Sequence, residues 1–498
     1  MKKLLTIILT LAYYSPCLFS QSTNLTPEEI LNKSLAAMGG KDKIENVKSL
    51  HLKGMEIDNL YSIAVQDKGA IPKMFWEIDR VLDFKNEKLV NKGRIHFNFR
   101  QDDVQFGFIY NPDTAMQEVG DKKLPASLAQ LKYFKEELHI NPVYIFQQGI
   151  KTDKPMLLDS LYKDGVKYFV IEFPVNGIKT KVIINSLNFL PAVIEYTRYK
   201  DQDNYNNFWG DETTKITYSG WTLTPSGIKF PTRWIYDSEG FPMNDVSFTE
   251  VEMNPVVPAD TFKIPEKVKE AFLKQKPKNR MDFAKDNNNG NANLVAKGIY
   301  QSPGIETKYN STIVEQSDGL VIIDAPFSSA NSEIVIKKAK ELFPDKTIKA
   351  VISSNQLWMH IAGLREYAAE GVPIYLYKEN KNIVEKLMNA NYFTVPDNLQ
   401  KNKKEAVIKT ISSRMNLGEG ENRIEIIPVR TGTGQRTLAV YFPGKKLLYA
   451  SDLYQPKRFA RNFWSFYVSE VRDFIEREKL DVEKVFSLHM TPIKYSDL

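Results

Sequence analysis

Residues Val351–Tyr367, VISSNQLWMHIAGLREY, constrain the fold of this 498-residue chain more than any other stretch. Ala350, Val351 and Ile352 close a buried, β-branched strand. Ser353 to Met359 read as a loop. Ala362 to Ala369 begin an amphipathic helix, with Leu364 and Tyr367 on one face and Arg365 and Glu366 on the other. A strand that ends in a polar loop and passes at once into a helix belongs to a mixed α and β domain.

The flanking pattern agrees. Gly319–Ile323 predicts a strand ending at Asp324, and Ser332–Phe343 a helix with Val335, Ala339 and Leu342 buried. Ile424–Val429, Leu438–Phe442 and Leu447–Tyr449 predict strands, the last leading to Asp452. Phe463–Glu478 predicts a helix, and Val485–Leu488 a strand running into His489.

This layout resembles the metallo-β-lactamase superfamily, in which the loop reads Thr-His-x-His-x-Asp-His-x-Gly-Gly and a helix follows. The resemblance extends through YNSTIVEQSDGLVIIDAP, YFPGKKLLYASDLY and the closing HMTPIKYSDL. It implies an αββα sandwich over 294–498. It also implies chemistry by a metal-bound hydroxide, with one or two zinc ions lowering the pKa of water. Laid on that pattern, His360 takes the last histidine of the loop and Ala362-Gly363 the small pair. Asp452 takes the bridging position and His489 the C-terminal one. The other positions hold Asn355, Leu357, Met359 and, in the loop Arg430–Arg436, Thr433. Leu357 cannot coordinate, and none of the others is a good zinc ligand.

A count supports the same conclusion without any register. The chain has five histidines, and only His360 and His489 fall in the C-terminal domain. A dinuclear site of the family kind needs five there. What remains is a residual His360, Asp452 and His489 set. It would hold one weakly bound zinc, or none if the three groups simply hydrogen-bond one another. Trp358, between two replaced ligands, either fills the volume the metals would occupy or lines an apolar ligand pocket. Asp324 is expected to cap backbone. Ser353 and Ser354 have no base beside them in sequence, so no serine nucleophile is expected.

The N-terminal part differs. Thr26-Pro-Glu-Glu29 is a capping box with proline at the first helical position, and Gly39-Gly40 ends that helix. Aromatic and β-branched runs follow over Val47–Ile57, Met74–Phe84, Gly93–Arg100 and Val104–Asn111. Leu124–Gln148 reads as helical with a break at Pro142, and strands resume from Tyr168 to Glu252. One helix with a long antiparallel meander predicts a β half-barrel wrapped on helices over 21–265. It resembles the periplasmic lipoprotein-carrier half-barrels, which implies a hydrophobic cavity. Its many aromatic residues also read simply as core. Residues 266–293, with the run KPKNRMDFAKDNNNGNAN, read as an exposed linker after a short helical piece at Lys267–Lys274.

Residues 1–20 read as a signal peptide: Lys2-Lys3, then an apolar run from Leu4 to Leu11. Cleavage near Ser20-Gln21 would take the formal charge from +6 to +4 by removing two lysines. The single cysteine, Cys17, lies in this segment, and Pro16 before it is a poor fit to a lipid anchor. The expected location is periplasmic or extracellular, with no disulfide, no transmembrane segment and no nucleic-acid partner. These features predict an exported α+β protein, a pseudoenzyme that binds a small-molecule, lipid or envelope ligand. The alternative is a mononuclear hydrolase of esters, lactones, phosphoesters or amides built on the residual His/Asp/His set.

Overall fold

The computed structural model describes residues 25–59, 73–97, 103–199, 209–288, 290–302, 309–432, 434–455 and 464–498. The expected signal segment with Cys17, the end of the strand expected over Gly93–Arg100, Thr433 and Phe463 lie outside the described residues.

Helices α1 (Pro27–Met38) and α2 (Lys41–Glu45) lead into β1 (Ser49–Asn59), β2 (Lys73–Asp83), β3 (Lys88–Phe97), β4 (Val104–Asn111), β5 (Thr114–Val119) and β6 (Lys122–Pro125). Helices α3 (Leu128–His139) and α4 (Pro142–Ile150) follow. Then come β7 (Met156–Lys163), β8 (Val166–Val175), β9 (Ile178–Asn185), β10 (Pro191–Tyr199), β11 (Asp211–Leu223), β12 (Lys229–Ser238) and β13 (Phe241–Met253). All thirteen strands form one antiparallel sheet, ordered β6 to β1, then β13 down to β7. The two meanders meet where β1 pairs with β13. The capping box of α1 is formed as the sequence predicts. Pro142 stands at the first turn of α4 rather than interrupting a helix, because Asn141 caps the new helix through the Tyr144 N–H.

The sheet closes over these helices. Ile30, Leu35 and Met38 of α1, Phe134 and Leu138 of α3, and Val143 and Phe146 of α4 share one core with Leu50, Leu52, Ile171, Ile216 and Trp234 of the strands. Helix α3 packs on β3 to β5, and α4 on β8. Laid flat, β4 and β8 would stand nine strand spacings, about 43 Å, apart. The twenty-one residues of α3 and α4 span only about 32 Å. The sheet therefore curls into the expected half-barrel.

Residues 266–293 are more structured than their composition suggests. Helix α5 (Glu266–Leu273) buries Val268 and Phe272 and packs on β5 and β6. Helix α6 (Arg280–Asn287) begins at an Asn279 capping box and packs on the first helix of the C-terminal domain. The Lys338 ammonium donates to the carbonyls of Asn288 and Gly290. The piece between α5 and α6 is exposed and irregular, and 290–292 are irregular as well.

The C-terminal domain opens with β14 (Asn293–Ala296), β15 (Ile299–Ser302), β16 (Ser311–Gln316) and β17 (Gly319–Ile323). Next are α7 (Ser329–Leu342), β18 (Ile348–Ser353), α8 (Trp358–Ile361), α9 (Leu364–Glu370), β19 (Ile374–Tyr377), α10 (Lys381–Met388), α11 (Asn398–Asn402) and β20 (Ile408–Ile411). A second sheet is built from β21 (Met415–Leu417), β22 (Ile424–Val429), β23 (Thr437–Phe442) and β24 (Leu447–Tyr449). Helix α12 (Trp464–Arg477), β25 (Lys484–Phe486) and β26 (Ile493–Lys494) complete it.

Strands β14 to β20 form a seven-stranded sheet in sequence order, parallel from β17 onward. Strands β21 to β26 form a six-stranded sheet, also in order. Side-chain alternation along the strands makes the layers. Val321 and Ile323 of β17 face Ile426, Leu438 and Val440 of the second sheet in a core between the sheets. Leu320 and Ile322 point the other way, against Val335 of α7 and Leu364 of α9. Ile427 and Ala439 pack outward against Val471 and Phe474 of α12. The order is helices, sheet, sheet, helix: the expected αββα sandwich.

The two domains are latched together. The Asp211 N–H donates to the Asn391 carbonyl (2.7 Å). Oδ2 of Asp211 accepts from the N–H groups of Phe393 (2.6 Å) and Thr394 (3.0 Å). Gly210, at φ 74°, sits against Asn391 and the Tyr392 ring, where any Cβ would collide. Trp209 joins the sandwich's own outer core.

Candidate functional site

Strand β18 delivers Ser353 and Ser354 to the edge between the two sheets, beside the end of β17. Asp324, just past β17, takes a left-handed conformation (φ 64°) that turns its carboxylate toward that edge. Its Oδ1 accepts from the Ser354 N–H (2.7 Å), the backbone-capping role expected of it. Its Oδ2 accepts from the Ser354 hydroxyl (2.7 Å) and the Tyr449 hydroxyl.

Asp324 also meets His360. Helix α8 begins at Trp358, two residues inside the stretch expected to be loop, and carries His360 inward. Gly363 follows because α9 lies against α7: a Cβ there would strike Ser332 and the Ser328 carbonyl. His360 Nδ1 lies 3.0 Å from Asp324 Oδ2, and Nε2 lies 3.1 Å from Asp452 Oδ2. Asp452 Oδ1 lies 3.0 Å from His489 Nε2. The structure therefore brings together all three residues of the residual set and adds Asp324 as a fourth member.

The electrostatics follow from that row. Burial by itself would lower the His360 pKa, but Asp452 and then Asp324 outweigh it and raise it to about 10. Burial would raise the Asp452 pKa, but the His360 charge holds it well below the carboxylate range. Burial, with Asp324 adding to it, pushes the Tyr449 hydroxyl well above its ordinary value. The two flanking carboxylates therefore favour the charged form of His360.

Ser354 proves to have an imidazole neighbour that sequence proximity does not reveal, since its hydroxyl lies 3.1 Å from His360 Nδ1. It is fully buried, however, and its oxygen is shared with Asp324 and Ser451 (2.7 Å). In the charged form that its carboxylate neighbours favour, His360 cannot act as its base. Ser353 donates to the Asn355 carbonyl (2.8 Å).

The replaced positions are occupied by packing. The Asn355 amide donates to the Thr437 hydroxyl (3.1 Å), and its Oδ1 accepts from the Leu357 N–H (3.2 Å). Leu357, Trp358 and Met359 are buried members of the core between the sheets. Trp358 is one side of an aromatic group, 5.1 Å from Phe327 and 6.0 Å from Tyr309 between ring centroids. Tyr309 in turn lies 5.0 Å from His489. These residues do not fit a pair of metals: two positions are apolar core and one is an amide already bonded to Thr437 and Leu357. Among the described residues, no group of three or more His, Cys, Asp or Glu side chains is placed to hold a metal ion.

Above Trp358 lies a cavity of about 750 Å3 between the two domains. Gln356, Leu357, Trp358, Ile383 and Thr394 line it from the sandwich, and Trp76, Tyr196 and Tyr236 are among its half-barrel walls. His360, Asp452 and His489 are not among its lining residues. Sequence reasoning reached Trp358 but missed the half-barrel wall. The only signal for that wall was the mixing of carboxylates into aromatic strands.

No family model matches the chain, and no curated protein matches it. Among solved structures it is similar to the inverting sec-alkylsulfatase Pisa1 from Pseudomonas sp. at 15% identity. That likeness covers 42% of this chain and 40% of the alkylsulfatase, at a TM-score of 0.31. It is similar at 15% identity to the DIM-1 metallo-β-lactamase, over 41% of this chain and 91% of that one, at a TM-score of 0.31. A metallo-β-lactamase from Pontibacter korlensis compares at 14% identity, 41% and 93% coverage, and a TM-score of 0.31. This chain spans about two fifths of the alkylsulfatase's length. The fold assignment rests on the layers themselves: two sheets face to face, helices on both outer faces, and the strand–loop–helix at Val351–Tyr367. By that architecture, residues 294–498 form a sandwich of the metallo-β-lactamase kind, carried behind a β half-barrel.

Proposed function

We propose that this chain is an exported binding protein on a metallo-hydrolase scaffold, with its ligand in the cavity between half-barrel and sandwich. One observation carries the reading. Leu357, Trp358 and Met359, which stand among the family's ligand positions, are buried in the core between the sheets. Two of them, Leu357 and Trp358, also form cavity wall. A hydrolase of this family needs an open coordination site facing its substrate. Here an aromatic side chain faces the cavity, and the residual histidines and Asp452 are not part of its lining. A concave, largely preformed chamber with aromatic walls and convergent polar groups is suited to holding a small molecule.

Export rests on residues 1–20 alone, and the mature protein would begin near Gln21. Among the described residues, no helix is long and apolar enough to cross a membrane. Mass spectrometry of exported protein tests the start. An intact Met1 or a lipidated Cys17 would overturn it.

The function is tested by native mass spectrometry and calorimetry with small-molecule and lipid fractions. Trp358→Ala should weaken ligand retention more than His360→Ala or His489→Ala. Hydrolysis that depends on His360, His489 and one bound zinc would instead favour the mononuclear enzyme.

A further inference from the structure

The reading of the cavity as a binding site leaves its ligand class open, and the wall chemistry narrows it. Among the described residues six carboxylates line the cavity: Glu56, Asp58, Glu136, Glu137, Glu212 and Asp237. The lining cations among the described residues are Lys132 and Arg198, with Arg80 packed behind Glu56 and Glu137. Arg198 pairs with Glu136, and Arg80 lies 2.8 Å from Glu137 but 3.9 Å from Glu56. Asp58 has no ion-pair partner among the described residues. The chamber is therefore electronegative at the end where Glu56 and Asp58 stand.

Strand register fixes what surrounds these two. They lie two apart on β1 and so share a face. Glu56 is directly opposite Trp76 on β2, and Asp58 is opposite Asn244 on β13. Asn244 is in turn opposite Tyr236 on β12, and its amide donates to Glu56 (2.6 Å). The pair thus faces the cavity beside Trp76 and Tyr236, with Trp358 lining it from the other domain. Burial outweighs the Arg80 charge and raises the Glu56 pKa to about 7, and burial raises that of Asp58 to about 6.

Carboxylates set among aromatic faces favour one kind of guest. The ring faces attract a cation through their quadrupoles and bury its hydrocarbon, while the carboxylates supply the counter-charge. An anion would meet uncompensated like charge. A bare metal ion would leave most of a 750 Å3 chamber unfilled.

We propose that the cavity binds an organic ammonium ion, its charge beside Glu56 and Asp58 and its apolar body against Trp76, Tyr236 and Trp358. This rests on the binding-protein reading above.

Calorimetric titration of the mature protein tests it with three soluble probes of matched length: phenethyltrimethylammonium, a neutral phenylalkanol and a phenylalkanoate. The cation should bind at least about tenfold more tightly than either of the others. Asp58→Asn and Glu56→Gln should each cut its affinity about tenfold while leaving the phenylalkanol unchanged. Trp358→Ala should weaken all probes that bind. Asp58→Asn disturbs no described ion pair, so it remains informative if Glu56→Gln, which removes a partner of Arg80, folds poorly. Equal or tighter binding of the neutral or anionic probe would overturn the cation assignment, as would an Asp58→Asn variant of unchanged affinity. Either result, with Trp358 dependence retained, would leave the binding reading standing. If none of the three probes binds, the cation assignment falls, and the binding reading is decided by the small-molecule and lipid fractions.

Discussion

His360 Nε2 lies 3.1 Å from Asp452 Oδ2, with both side chains buried and a second carboxylate, Asp324, on the far side of the ring. In the family this chain resembles, these two positions would meet through metal. Here the two atoms lie at ion-pair distance with no hydrogen bond between them, and the two carboxylates favour a charged imidazole.

Removing one partner of such a pair strands the other charge in the interior. Asp452→Asn should cost about 3–5 kcal/mol of unfolding free energy, measured by urea denaturation. A loss under about 1 kcal/mol would mean that the row of charges contributes little.

The cavity carboxylates give the protein a pH signature. Burial raises the Glu56 pKa from 4.5 to about 7 and the Asp58 pKa from 3.8 to about 6. Between those values the folded state holds more protons than the unfolded one, so stability falls as pH rises. The contribution is fully present below about pH 4 and is lost by pH 7. Urea midpoints at pH 5 and pH 8 should differ less for Glu56→Gln than for the wild type. An identical difference would place the Glu56 carboxyl in a solvated setting.

The domain latch depends on Asp211. Asp211→Ala leaves the N–H groups of Phe393 and Thr394 without their acceptor, at a cost of about 1–3 kcal/mol. Because the loss falls at the junction, a single calorimetric unfolding transition should split into two. A uniform shift of one transition would show that the latch is not the domains' main tie.

Limited proteolysis should cut first between α5 and α6, in the exposed segment 274–279, and leave two compact fragments. Residues 280–287, helical and packed on α7, should resist longer. A first cut within β1 to β4 would contradict the domain boundary.

Local signals made much of the fold readable. Thr26-Pro-Glu-Glu29 caps α1 as its spacing predicts, and the continuous apolar runs of β17 and β23 match strands buried on both faces. The departure from the family's ligand pattern was readable because Leu357 cannot coordinate and Met359 offers only a thioether, a poor ligand for zinc. The partner of His360 was not. Asp324 is thirty-six residues away, and only the parallel pairing of β17 with β18 brings the two strand ends together. Helix α6 was hidden because its sequence is polar and its packing on α7 uses little apolar surface. The cavity was hidden for a related reason. Its walls come from α3, from strands of both halves of the large sheet, and from the loop after β18 with the start of α8, and its chemistry exists only once two domains have met.

Metal content tests the central claim most directly. Purified mature protein, loaded with zinc and dialysed, should retain less than one equivalent by elemental analysis. Leu357 and Met359 are packed in the core and ligate poorly, and the Asn355 amide is already bonded. Two tightly held zinc ions would contradict the assignment of Asn355, Leu357 and Thr433 as lost ligands, and with it the reading of this chain as a binding protein.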